Sequence, residues 1–169
     1  MHIETERLLI TTLRADMAQA IHINSLDEDN RRFVPDEVFE TLEEAQETVE
    51  FLMEAYASAA GPFVYPVLRK ADGANLGYVQ VCRVEEGFEV GYHIAKAFTG
   101  SGYATEAVAA FLPEICRRLD TSEIWGVVLE ENRASHRVLE KCGFTLVFQG
   151  IAPYQGEDRE LRKYLYRIK

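Results

Sequence analysis

Apolar positions recur along this chain with two different periods. Leu8 to Leu13 is a short β-leaning run. From Asp16 to Asn24 the spacing turns helical. Met17, Ala20 and Ile21 share a face, and Asp16 with Gln19 three residues on reads as a capping box. Thr41 with Glu44 forms a second box. Behind it Leu42, Ala45, Val49, Leu52, Met53 and Tyr56 make the apolar face of a long helix, stopped by Gly61-Pro62. The intervening stretch, Asp27 to Glu40, is polar apart from Phe33, Val34, Val38 and Phe39.

Strand periodicity follows over Phe63 to Arg69, Leu76 to Val84 and Phe88 to Ile94, separated by turns at Ala71-Asp72-Gly73 and Glu85-Glu86-Gly87. Such short connections predict an antiparallel meander. After Gly100-Ser101-Gly102 a helix is expected, with inner face Ala104, Ala107, Val108, Phe111, Leu112, Ile115 and Leu119. Pro113 inside it predicts a bend. Ile124 to Leu129 reads as a strand, Asn132 as the cap of a short helix, Gly143 as its C′ glycine, and Phe144 to Phe148 as another strand. The tail is ambiguous: Leu161, Leu165 and Ile168 suit a helix, Tyr164 and Tyr166 a strand.

The 169 residues show no repeat or linker, so one domain spanning 1–169 is expected. The net charge of −10, with 28 acidic residues against 18 basic ones, argues against a nucleic-acid partner. It suits a cationic partner, and equally a surface that is acidic for solubility alone. Cys82, Cys116 and Cys142 are too scattered for a zinc site or disulfide framework, so no metal is expected. Met1-His2-Ile3-Glu4 does not resemble a signal peptide, and no apolar run reaches the roughly 18 residues of a membrane span. The expected address is cytoplasmic.

Strand, glycine-containing loop and helix start in succession form an anion site: main-chain N–H groups point outward and the helix dipole adds partial positive charge. Gly100 and Gly102 permit positive φ and close approach of a phosphate. Lys96 is the basic residue near them in sequence, so the main chain would carry the grip. Taken alone, the loop reads equally as a tight turn. It lacks the Gly-Lys-Ser/Thr of a mononucleotide P-loop, and Thr105 stands where a dinucleotide fingerprint has its third glycine.

Glu89-Val90-Gly91-Tyr92-His93-Ile94 followed by Gly100-Ser101-Gly102-Tyr103-Ala104-Thr105-Glu106-Ala107 resembles the GNAT acetyltransferase superfamily. It is most similar to the branch that acetylates ribosomal-protein N-termini. Asn132-Arg133-Ala134-Ser135 through Val138-Leu139-Glu140-Lys141 to Gly143-Phe144 is a second match, and Glu4-Thr5-Glu6-Arg7-Leu8 a looser third.

The resemblance implies an α/β fold: a mixed, mostly antiparallel sheet of six or seven strands with helices on both faces, splayed at its central strands. It turns the ambiguous tail into a strand. It implies acetyl-CoA as co-substrate, its pantetheine arm along Tyr92, His93 and Ile94 and its pyrophosphate on Thr99, Gly100, Ser101, Gly102, Tyr103 and Ala104, with Thr105 also among the cofactor-binding residues. Thr99 departs from the family's Gln/Arg at that position and offers only a hydroxyl. A homodimer would accord with many relatives.

By the same resemblance, Asn132 would hydrogen-bond the pantetheine and Ser135 would protonate the leaving sulfur. Without it, both read as capping groups of a short helix. Glu89 is the candidate base for the incoming ammonium, against a solvated strand-edge carboxylate. His93 is a second base, a cofactor contact or a packed imidazole, the last being preferred. Phe33, Phe39 and Tyr65 are the candidate acceptor wall, with Asp36 and Glu37 at its rim. The acceptor is then an amine, either a protein N-terminus or a small molecule such as a polyamine or aminoglycoside. A non-catalytic acetyl-CoA sensor is the reading outside enzymes.

Overall fold

A computed structural model describes residues 1–168. Eight strands form one sheet: β1 (His2–Glu4), β2 (Leu8–Thr11), β3 (Phe63–Arg69), β4 (Asn75–Val84), β5 (Gly87–Ile94), β6 (Glu123–Leu129), β7 (Thr145–Tyr154) and β8 (Glu157–Arg167), in the spatial order β1-β2-β3-β4-β5-β6-β8-β7. The helices are α1 (Ala18–Ser25), α2 (Glu28–Phe33), α3 (Leu42–Ala55), α4 (Tyr103–Leu119) and α5 (Arg133–Lys141). The architecture is the expected open, mostly antiparallel α/β sheet, with β1 as an additional short edge strand and the ambiguous tail as β8.

Every neighbouring pair is antiparallel except β5 and β6, which run parallel and meet at the single register pair Glu89↔Trp125. The sheet therefore opens as a V beyond Glu89. Alternation along the β4–β5 ladder then sorts side chains by face. Val79, Val81, Val90 and Ile94 join the buried core with Ala107, Val108, Phe111 and Leu112 of α4. Gln80 pairs with Gly91, Cys82 with Glu89 and Tyr78 with His93, all on the opposite face. A Cβ at Gly91 would come within 2.7 Å of the Gln80 amide, so a side chain there would have to displace Gln80.

Local signals account for most helix limits. The Thr41–Glu44 box forms reciprocally at the start of α3, contributing about 1 kcal/mol. On α3, Ala45 and Val49 are buried while Leu42 and Met53 lie more than a third exposed. Asn132 caps α5 and Gly143 follows it at φ +87°. α4 continues through Pro113. The expected Asp16–Gln19 box does not form. Asp16 instead pairs with Arg14, a 3-10 turn occupies Ala15–Met17, and α1 starts at Ala18 without a side-chain cap. The polar stretch holds α2 and a 3-10 turn at Pro35–Glu37. No helix among the described residues is long and apolar enough to cross a membrane.

Candidate active site

The V between β5 and β6 is a cleft of about 670 Å³, lined by Tyr92, His93, Ile94, Thr99 and Ala104 on one arm and by Gly126 to Leu129, Asn132 and Ser135 on the other. Ala95 donates its N–H to the Leu76 carbonyl. By antiparallel alternation the main chain of His93 also faces β4, whereas Tyr92 and Ile94 turn N–H and C=O into the gap. An extended chain laid there meets an unpaired strand edge, as a pantetheine arm requires.

At the end of the cleft the loop from Thr99 to Ala104 leads into α4. Gly100 and Gly102 hold φ of +83° and +79°. Gly102 is the N-cap and has no side chain with which to cap, so the first-turn amides of a 17-residue helix stay open to an anion. The Thr99 hydroxyl is turned back onto the Lys96 carbonyl at 3.0 Å.

The basic group at this loop is Arg7 rather than Lys96, whose ammonium pairs with Asp29. Arg7 reaches across 94 positions to donate to the Ser101 carbonyl at 3.0 Å, with its guanidinium carbon 4.5 Å from the Tyr103 ring centroid. Its Nε donates to Glu106 at 2.7 Å, and the Thr5 hydroxyl donates to the same carboxyl at 2.6 Å. Burial acts to raise the Glu106 pKa, but the bonds from Thr5 and Arg7 prevail and lower it. Thr5, Arg7 and Glu106 thus join the chain's opening to the phosphate loop. The Arg7→Ala variant is expected to weaken acetyl-CoA binding about tenfold through loss of loop positioning and positive charge. Calorimetric titration against the parent checks this.

Asn132 Oδ1 accepts from the Ser135 N–H at 3.2 Å, so the cap that sequence spacing suggested is formed. The Tyr92 hydroxyl donates to the Ser135 carbonyl at 3.0 Å and fixes the start of α5 against β5. His136 is buried, with Nδ1 3.0 Å from the Tyr164 hydroxyl and Nε2 3.2 Å from the Glu130 carbonyl. Both nitrogens are engaged away from Ser135, which excludes a Ser135–His136 dyad.

Glu89, at the vertex of the V, faces the α2 side. Burial pushes its carboxyl up to about 7, with Lys163 drawing it back and Glu86 adding to the rise. Glu37 also lines the cleft and is raised by burial and by Asp36, against a 3.0 Å hydrogen bond from Gln80. Tyr154, the last residue of β7, lines the same space. Burial and these two carboxyls raise its hydroxyl. Sequence reading missed Tyr154, whose only local mark is the Gln155-Gly156 turn after it. Phe33 lines the cleft, and Phe39 lines a separate cavity.

Tyr65 does not form an acceptor wall. It is fully buried, with its ring 5.3 Å from Tyr56 and 5.7 Å from Phe111, because on β3 it shares a face with Phe63 and Val67 against α4. Of the three readings of His93, the geometry matches the packed imidazole. Its Nε2 lies 3.1 Å from Asp27, whose carboxylate also accepts from the N–H groups of Lys96 and Asn30. Burial lowers the His93 pKa despite Asp27, and the contact between the ring and Asp27 ties the start of α2 to β5. No cluster of three metal-ligating side chains occurs among the described residues.

Family comparison agrees with this geometry. Residues 7–145 match the acetyltransferase (GNAT) domain. An uncharacterised N-acetyltransferase of Bacillus subtilis (strain 168), YnaD, is 28% identical over 145 residues, which cover 85% of this chain and 82% of YnaD. The crystal structure of a GNAT-family acetyltransferase from Bacillus anthracis superposes with a TM-score of 0.84 at 25% identity, covering 99% and 98% of the two chains. The ribosomal-protein-S5-alanine acetyltransferase from Vibrio fischeri shares the fold at a TM-score of 0.83 and 16% identity, covering 99% and 96%. The chain belongs to the GNAT acetyltransferase family. It is an acetyl-CoA-dependent N-acetyltransferase.

Proposed function

We propose that residues 1–169 act as one GNAT domain that acetylates a cationic primary amine by direct attack in a ternary complex, with Glu89 as base and Ser135 as acid. The carrying observation is the position of Glu89, at the one point where β5 and β6 still pair, with its carboxyl raised to about 7 and facing the cleft. A carboxylate poised near neutrality can take a proton from an ammonium at working pH.

Acetyl-CoA, when bound, supplies the thioester carbon and a thiolate leaving group. The new N–C bond forms as the C–S bond breaks. Tyr92 and Ile94 hold the arm by main-chain hydrogen bonds, and the loop from Thr99 to Thr105 receives the pyrophosphate. Glu89 takes the ammonium proton from the α2 side. Ser135 Oγ, at the start of α5, gives its proton to the sulfur and regains one from the nitrogen, which sheds its second proton as the amide forms. Alignment of the two reactants supplies much of the rate.

An α-amine at a protein N-terminus is the acceptor we favour. Two fold neighbours support it: a ribosomal-protein-S5-alanine acetyltransferase, and RimL, a ribosomal L7/L12 α-N-protein acetyltransferase in complex with coenzyme A. The cleft is also open to solvent between α2 and the β7–β8 turn, where Glu37 and Glu89 can meet a cationic chain end, Asp29 and Glu131 being already paired with Lys96 and Arg32. Incubation with acetyl-CoA and peptides beginning with Ser or Ala, beside spermidine, tests the reading by mass spectrometry. Acetylation of spermidine alone would overturn the acceptor class. The Ser135→Ala variant is expected to lose about 10²-fold in kcat while binding acetyl-CoA as the parent does. An unchanged kcat would remove Ser135 from the reaction.

A further inference from the structure

The sheet's two halves, β1 to β5 on one side and β6, β8 and β7 on the other, meet at the single register pair Glu89↔Trp125. Alternation carries the face of Glu89 across this join. Trp125 stands opposite Leu165, and two residues further along β6 Val127 stands opposite Lys163. Lys163 therefore shares the face of Glu89, beside a residue that lines the cleft. Its ammonium lies 3.9 Å from the Glu86 carboxylate, in the turn between β4 and β5. The ion pair thus spans the join with one partner on each half, and in register the row of Glu89 lies between them.

Burial raises the Glu89 carboxyl, and the two charges that act on it pull in opposite senses: Lys163 lowers it and Glu86 raises it further. The other titratable neighbours bring no positive charge. Cys82, its partner across the ladder on β4, is a thiol that burial pushes up to about 11. Tyr154, at the end of β7, is a phenol that burial raises. Glu37, from the 3-10 turn, acts on both of these groups and is itself raised by burial. Lys163 is thus the one cation acting on Glu89 among the described residues. A base has to be ionised to take a proton, and a nearby opposite charge favours that form.

We propose that Lys163 and Glu86 are positioning residues of the reaction: their ion pair ties the sheet halves at the vertex, and Lys163 holds Glu89 in the ionised form that receives the ammonium proton. Glu86 keeps the lysine in place and offsets part of its charge. With side chains 34% and 56% exposed, the pair itself adds little to stability. Its effect falls on the carboxyl next to it. The kinetic consequence rests on Glu89 being the base, whereas the effect on the Glu89 carboxyl does not.

Lys163→Met and Glu86→Gln break the same ion pair but leave opposite charges beside Glu89, which separates charge from mere linkage. Carboxyl-carbon NMR of the isotopically labelled full chain follows the Glu89 titration without turnover, its signal assigned by loss in Glu89→Gln. Lys163→Met should move that titration up and Glu86→Gln should move it down, each by about 0.3–0.7 pH unit and less in high salt. The double variant should return close to the parent, and Lys163→Arg, which keeps the charge, should match it. Shifts in the same direction, or no shift in variants that melt like the parent, would overturn the proposal. Should Lys163→Met fail to fold, Glu86→Lys at the more exposed partner carries the test, and a titration no lower than in Glu86→Gln would sink it. The rising limb of kcat/KM for a Ser-initiated peptide should follow the carboxyl in each variant. A limb that stays put while the carboxyl moves would leave the pair's action on Glu89 standing and overturn its part in the reaction together with the assignment of Glu89 as base.

Discussion

The Glu89→Gln variant is expected to lose about 10²- to 10⁴-fold in kcat/KM for the amine while binding acetyl-CoA as tightly as the parent. The amide keeps the shape of the side chain and removes only its ability to take a proton. The pH profile separates this role from a structural one. With the Glu89 carboxyl raised to about 7, parent activity should climb with pH through that value. The variant should lack this limb and keep only the rise that belongs to deprotonation of the amine itself. A limb near 7 that persists in the variant would move the base elsewhere on the chain.

Stability should change in the opposite sense. A carboxyl held at about 7 in the folded chain, against 4.5 in the open one, favours the folded state while it keeps its proton. Its contribution is complete below 4.5, falls as pH rises toward 7, and is absent above. Glu89→Gln cannot ionise, so it should melt like the parent at about pH 4.5 and above it at about pH 8. Scanning calorimetry at the two values checks the sign. A variant that is slower yet more stable is what a burial-tuned carboxyl in a working site predicts. Lys163 tempers the size of the shift and Glu86 adds to it, and neither changes its direction.

The sequence carried the parts of this fold that rest on local chemistry. Thr41 and Glu44 satisfy each other three residues apart, and Asn132 and Gly143 bound α5 by the same short-range logic. The helix from Glu28 to Phe33 was illegible because six residues are too few for a periodic signal. It is held by Asp27, which caps it and reaches 66 positions away to His93. Arg7 escaped notice for the same reason: its partners Ser101 and Glu106 lie more than ninety residues on. Alternation groups Phe63, Tyr65 and Val67 on one face of β3, but it does not say which face meets α4. Tyr65 therefore looked like a pocket wall and lies in the core. Glu89 and Ser135 stand out in the sequence as candidates for the chemistry. Their approach to the cleft from different elements does not, because it depends on where the sheet parts.

Substituting Gly102→Glu should abolish measurable acetyl-CoA binding, and the reason is charge more than bulk. A Cβ at this position would meet only the Arg7 guanidinium, at 3.7 Å. Space alone therefore excludes nothing, and Gly102→Ala should cost about 1–2 kcal/mol for holding an alanine at φ +79°. A glutamate adds a carboxylate at the first turn of α4, where the dipole and Arg7 would stabilise it in place of the pyrophosphate. The variant should thus fold, with the introduced carboxylate as an internal competitor for the anion site. Calorimetric titration with acetyl-CoA, run on parent, Gly102→Ala and Gly102→Glu, ranks strain against charge. Retained binding by the alanine variant with loss by the glutamate variant would locate the pyrophosphate at this turn. Equal retention by both would place the phosphates away from α4 and remove the loop from the site. Equal loss by both would make the glycine's backbone geometry, not the anion-attracting field, the decisive feature.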